Sequence, residues 1–210
     1  MVVKDSTGPQ SGYATPLELH RAPPPRERAD AARNRAAVLE AAARLFAEHG
    51  VAAVSMDQVA AAAGVGKGTI FRRFGDKSGL ANALLDAREH ALQEAILHGP
   101  PPLGPGADPP ARLAAFAGAY LDYLLEHLDL VRMSETAAPG ARYRIGAYHF
   151  WHQHATILLA GAPDPRYAAH ALLAALAAEH VTAVLPELGE ERLREGITRL
   201  ARSQYPSAAS

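Results

Sequence analysis

Residues Ser55 to Lys77, reading SMDQVAAAAGVGKGTIFRRFGDK, place two short helical stretches on either side of a glycine, and this arrangement constrains the fold more than any other part of the chain. Ser55 with Gln58 three residues on has the spacing of a capping box, which satisfies free amides at a helix start. Gly64 can take the left-handed conformation that ends the first stretch and opens a tight turn. In the second stretch Ile70 and Phe74 lie four apart on one face, while Lys67, Thr69, Arg72 and Arg73 point away from it. An apolar back and a cationic, hydrogen-bonding front suit a helix seated in a DNA major groove. The order helix, glycine turn, second helix is that of a helix-turn-helix unit.

Side-chain chemistry divides the DNA contacts expected of this unit. Lys67, Phe71 and Lys77, with the amides that start the second helix, would meet phosphate and sugar and set position. Thr69, Arg72 and Arg73 would read base edges, because an arginine fork matches the two acceptors of guanine and a threonine methyl can touch thymine. Gly68 allows close approach of backbone to DNA. Ser55 and, in the preceding helix, Arg33 complete the expected DNA-facing set. The string GVGKGT resembles a phosphate-binding loop but fails on spacing. Ala61 stands where a glycine is needed and Gly68 where Ser or Thr should follow the lysine.

The same run resembles the tetracycline-repressor-like (TetR) family of transcriptional regulators, whose pattern is close to T-x-x-x-I-A-x-x-A-G-V-S-x-G-T-L-Y-x-x-F-x-S-K. The resemblance covers roughly Ala32 to Leu85. Three positions depart from it: Gly66 where Ser is frequent, Phe71 where Tyr is usual, and Gly79 where an acidic residue starts the fourth helix. The resemblance implies an all-α protein, with a three-helix helix-turn-helix DNA-binding domain followed by a helical ligand-binding and dimerisation domain. It also implies a homodimer on a palindromic operator, released by a small-molecule effector, with the last two long helices of each subunit forming the dimer interface.

The rest of the 210 residues can be divided on punctuation and periodicity. Residues 1–25 mix Ser, Thr, Gly and Pro without periodicity and read as a disordered tail. Residues 26–77 form the expected head, whose first helix runs from about Ala31 to His49. Residues 78–98 read as a connecting helix capped by Asp76, and 99–110, GPPPLGPGADPP, as a loop that prolines keep from being helical. Residues 111–205 form the body. Its expected helices run from Pro110 to His127, Leu130 to Ala137, Ile145 to Ala160, Asp164 to Leu185 and Glu190 to Ser203. The alanines after Asp164 and the series Leu193, Ile197, Leu200 offer close-packing seams.

Charge supports the division. From Arg21 to Lys77 ten Lys or Arg oppose six Asp or Glu, a balance of +4, whereas the remainder has eleven against sixteen, or −5. A basic head on an acidic body accounts for a net charge of only −1 in a nucleic-acid binder. The absence of cysteine excludes disulfides and thiolate metal sites. No signal-like or membrane-length apolar run is visible, so a cytoplasmic protein without a membrane partner is expected.

In the body, Phe116, Tyr120, Tyr123 and His127 repeat at four, three and four, which forms one aromatic column. Met133, Trp151 and His152 would face that column and line an effector pocket of mostly apolar wall. His149, His152 and His154 invite a metal reading, but only the first two share a face, and no metal or other cofactor is expected. Without a nucleophile motif, an H-E-x-x-H pair or a dinucleotide fingerprint, no catalytic residue is assigned. The alternatives are a regulator that senses a protein partner and, further off, a metal sensor or enzyme built on the histidine-rich body.

Overall fold

The computed structural model describes residues 25–205, and among these every regular element is helical. Helix α1 spans Pro25–His49, α2 Met56–Ala62, α3 Lys67–Phe74 and α4 Lys77–His98. The body follows as α5 Pro109–Glu126, α6 Leu128–Glu135, a 3-10 turn at Ala141–Arg144, α7 Gly146–Leu158, α8 Pro165–Ala175 and α9 Ala178–Ser203. The expected tail lies, apart from Pro25, outside the described residues. Helix α1 begins six residues before the expected Ala31, since a proline is accepted at a first helical position, where no amide is required.

Most boundaries follow the predicted caps. Ser55 and Gln58 form the reciprocal capping box, and Asp76, Asp108 and Asp164 each accept a hydrogen bond from the amide three residues on. Gly50, Gly64 and Gly75 all have positive φ, as the turns after α1, α2 and α3 require. Gly79, one of the departures from the family pattern, has a local reason: a Cβ there would overlap the carbonyl oxygen of Phe74.

Two hydrophobic clusters form. Val38, Ala42, Phe46, Val59, Ile70 and Leu80 close the head, and the larger body cluster is built from α4 to α9. Helix α4 serves both, with Leu80 in the head cluster and Leu85 and Ile96 in the body cluster. Each of these three is almost wholly buried, worth about 1.5–3 kcal/mol apiece, so α4 is fixed at both ends of its length of about 33 Å. Helix α6 adds a second link, because Leu130 packs against both clusters.

The end of the chain departs from expectation. The helix expected from Asp164 to Leu185 stops at Ala175, and α8 and α9 meet at an angle of 54°. Helix α9 then continues past Pro186 and is interrupted at Gly189, with φ 72° and ψ 164°. Leu193 and Ile197, expected to form a seam toward a partner, are buried in the subunit's own core. Among the described residues no single helix is long and apolar enough to cross a membrane.

Candidate functional site

Helix α3 stands on the head as a rod held along one side. Ile70 is completely buried and Phe74 packs against the head cluster, while Gly68, Phe71, Arg72 and Arg73 are exposed and Thr69 is half-buried. Phe71 keeps 46% of its surface open beside the exposed Arg72 and Arg73. The start of α3 has no side-chain cap because Gly66 supplies none, so its first amides remain available to an anion.

The remaining expected DNA-facing residues fall into two groups. Lys67 is exposed and forms an ion pair with Asp57 of α2, and exposed Arg33 pairs with Asp30 one turn earlier; both are surface pairs that a phosphate can displace. Ser55 and Lys77 are committed within the protein. The Ser55 hydroxyl accepts from the Gln58 amide at 3.2 Å, and the Lys77 ammonium donates to the carbonyls of Val51, Ala52 and Val54 at 2.9, 3.1 and 2.8 Å. Lys77 therefore ties the α1–α2 loop to the start of α4, where a free ammonium would oppose the positive end of the helix.

In the body, a narrow cleft lies between α4, α5, α6 and α7. Tyr120, Tyr123 and Trp151 line it as the spacing suggests, and their rings meet at 5.7 and 5.8 Å from Tyr120. The other four expected pocket residues lie elsewhere. Phe116 is fully buried behind Trp151, and His127 closes the end of α5 edge-on to Tyr123. Met133 turns toward the head cluster, because α6 presents its opposite face to the cleft. His152 points outward, its ring 3.9 Å from that of His170, with Nε2 near the Arg166 carbonyl.

Five polar lining residues, Glu89, Ser134, Glu135, Arg142 and Tyr148, were not apparent from the aromatic column. Arg142 is buried, paired with Glu135, donates from Nη2 to the Leu173 carbonyl at 2.7 Å and lies over the Tyr148 ring. Glu135 also accepts from the Ala178 amide at 2.8 Å, which ties α6, the 3-10 turn and the α8–α9 bend together. Burial pushes both Glu89 and Glu135 up from the usual carboxylate range; Tyr123 and Arg142 respectively oppose the shift. Ser134 donates to the Asn82 amide oxygen, which links α6 to α4. A signal for Glu89 does exist in the sequence: it shares the four-three-four stripe of Leu85, Leu92 and Ile96, where a carboxylate is out of place.

The three histidines of α7 diverge. His149 is exposed, His152 half-buried and His154 buried, and among the described residues no three metal-ligating side chains converge. His154 Nε2 is buried without a partner, edge-on to Phe116 at 5.1 Å. Burial first, and the charge of Arg112 second, hold its pKa down to about 4 from 6.5. The folded protein thus resists a proton that the unfolded chain takes up readily. Stability should be complete above about pH 6.5 and fall as pH drops toward 4, by about 2–3 kcal/mol from this group. Urea unfolding of the protein and of His154→Leu should show the parent losing that much more stability in acid than the variant. A gap between the two that does not change with pH would remove this explanation.

A helix exposed on one side of a packed head, joined by one continuous helix to a body with a narrow cleft, defines a helix-turn-helix unit followed by a separate helical body. Residues 38–84 match the family model described as "Bacterial regulatory proteins, tetR family". An HTH-type transcriptional repressor of Mycobacterium tuberculosis is 51% identical over 51 residues, 24% of this chain and 27% of that protein, so the likeness spans only about a quarter of the relative. Whole-chain similarity comes from solved structures. A TetR-family regulator of Pectobacterium atrosepticum is 25% identical with a TM-score of 0.58, covering 82% of this chain and 93% of the other. NalD of Pseudomonas aeruginosa, the secondary repressor of the MexAB-OprM multidrug efflux pump, is 26% identical with a TM-score of 0.54, covering 81% and 97%. Residues 38–84 are thus similar to the DNA-binding head of the TetR family, and the fold of most of the chain is similar to that of solved TetR-family regulators.

Proposed function

We propose that this protein is a ligand-responsive transcriptional repressor that binds a palindromic operator as a homodimer, in the cytoplasm where that DNA resides. The observation that carries the reading is the two-sided construction of α3, with Ile70 sealed beneath it and Phe71, Arg72 and Arg73 open above. The exposed row Tyr167, Ala171 and Ala174 on α8 supports dimerisation through α8 and the outer side of α9, since small residues allow close helix approach. The aromatic and polar lining of the narrow body cleft, with a larger groove beside it, supports a small-molecule effector over a protein partner, which would need a broad open surface.

The test uses inverted repeats from DNA flanking the coding region. Sedimentation should give twice the 22.2 kDa chain mass, and fluorescence anisotropy should show affinity falling steeply with salt, with a log–log slope near −0.9 per phosphate neutralised. Half-site centres should lie roughly 34–36 Å apart or at multiples of that spacing. Arg72→Ala should lose about 1–3 kcal/mol of discrimination at one base position while binding other sequences nearly as before. Salt-independent binding, or a uniform loss in Arg72→Ala, would refute the placement of α3 in the groove.

A further inference from the structure

We propose that the body cleft takes an organic monocation with a bulky apolar or aromatic body, and that the Glu89 carboxylate is its counter-ion. The proposal rests on the reading of the body as the effector-binding domain and assigns the chemical class of that effector.

Charge inside the cleft decides the class. Among the described residues Arg142 is the one cation lining the inner cleft, and its guanidinium is engaged by Glu135, by the Leu173 carbonyl and by the Tyr148 ring, so it has little left to offer an anion. Glu135 is correspondingly neutralised. Glu89 is different: it accepts a hydrogen bond from the uncharged Tyr123 hydroxyl at 2.9 Å, and among the described residues no cationic side chain pairs with it. A carboxylate held away from water without a counter-charge is costly to ionise, and a cation entering the cleft removes that cost. Tyr120, Tyr123, Tyr148 and Trp151 line the same space, and aromatic faces attract cations.

Size and access set the orientation. The free interior is about 20 Å³, little more than one water molecule needs. Glu89, Ser134, Ile145 and Ala147 also line an adjoining outer groove of about 480 Å³. A ligand would place its charged head at the aromatic mouth beside Glu89 and its body in the groove. The groove itself carries Asp86, paired with His90 on the same helix, and Arg144 on the exposed opposite lip. The inner carboxylate is therefore the charge that selects. Helix α4 also carries Glu89 and continues into the head cluster, so the ligand's charge acts directly on the helix that positions α3.

Trp151 is the single tryptophan of the chain, and its fluorescence reports on the cleft. The full-length protein should be titrated with phenyltrimethylammonium, with its uncharged isostere tert-butylbenzene, and with 4-ethylbenzoate. The cation should change the emission saturably, with at least about tenfold tighter binding than either comparison compound. Glu89→Gln should abolish that preference, whereas Tyr123→Phe, which frees the carboxylate but keeps its charge, should retain it. Equal binding of the neutral or anionic compound, no saturable response to the cation at millimolar concentration, or an unchanged preference in Glu89→Gln whose thermal melt matches the parent would overturn the proposal. Operator binding measured on the same samples separates the two readings: if it persists when the cation arm fails, only the effector class is wrong.

Discussion

Arg142→Met should cost about 3–5 kcal/mol of stability, because it leaves Glu135 buried without its counter-charge. That is a large share of the 5–15 kcal/mol typical of a folded domain, and for a protein of this length it corresponds to a fall of roughly 10 °C in Tm. The methionine fills most of the space, so the cost arises from charge and hydrogen bonds more than from a cavity. Three elements lose a tie at once: α6 through Glu135, α8 through the Leu173 carbonyl, and the start of α9 through the Ala178 amide. The variant should also acquire a characteristic pH dependence. Desolvation already raises the Glu135 pKa, and removal of Arg142 raises it further. A carboxylate whose folded pKa lies above its unfolded value contributes stability that is lost as pH rises through the folded pKa. Arg142→Met should therefore lose more against the parent at pH near 8 than near 5. Adding Glu135→Gln, which keeps an acceptor for the Ala178 amide but carries no charge, should recover at least half of the loss. Chemical denaturation of the three proteins at both pH values measures all of this; a single variant within about 1 kcal/mol of the parent would show that the pair has no structural role.

That pair marks where sequence reasoning stopped. Arg142 follows Pro139 and Gly140 in a stretch with no periodicity, and its partner lies seven positions earlier on another element. Nothing local connects them. The cleft's aromatic wall was legible because Tyr120, Tyr123 and Trp151 sit on helices whose faces can be counted. Its polar lining was not, since it comes from four elements brought together by packing. Glu89 is intermediate: the apolar stripe around it is countable, but nothing in the sequence shows that α4, a connector by its position, also walls the body cleft.

The fold was easiest to read where one residue determines one backbone event. Glycines that must turn left-handed at 50, 64 and 75, and aspartates that cap at 76, 108 and 164, act through their immediate neighbours, and each boundary they imply is present. The α8–α9 break has no such marker. Leu176 and Ala177 are both good helix formers, and tertiary packing of Leu176 and Ala178 into the body core overrides their preference. The expected end at Leu185 fails in the opposite direction: the helix continues past Pro186 to Gly189, whose positive φ makes the actual interruption.

Lys77→Met separates a residue that touches DNA from one that builds the surface that does. Its place at the start of α4, directly after the reading helix, suggests a phosphate contact when only the sequence is considered. In the folded head its ammonium faces three carbonyls of the α1–α2 loop, between the buried anchors Val51 and Val54. Methionine keeps the apolar stem and deletes the charge, so the loss isolates these bonds. Hydrogen bonds to a charged group are worth about 1.5–3 kcal/mol each, but the loop carbonyls regain water when freed, so the expected total is about 3 kcal/mol. The loss should be confined to the head, where it appears as earlier melting or faster amide exchange in α2 and α3 than in α5 and α7. The two roles predict opposite pairs of results. A phosphate contact would reduce the salt slope of DNA binding by about 1 and leave the melting temperature alone. A structural clamp would lower the melting temperature and, at temperatures where the head remains folded, leave the slope intact. The second pair is expected, and the first would return Lys77 to the DNA-facing set.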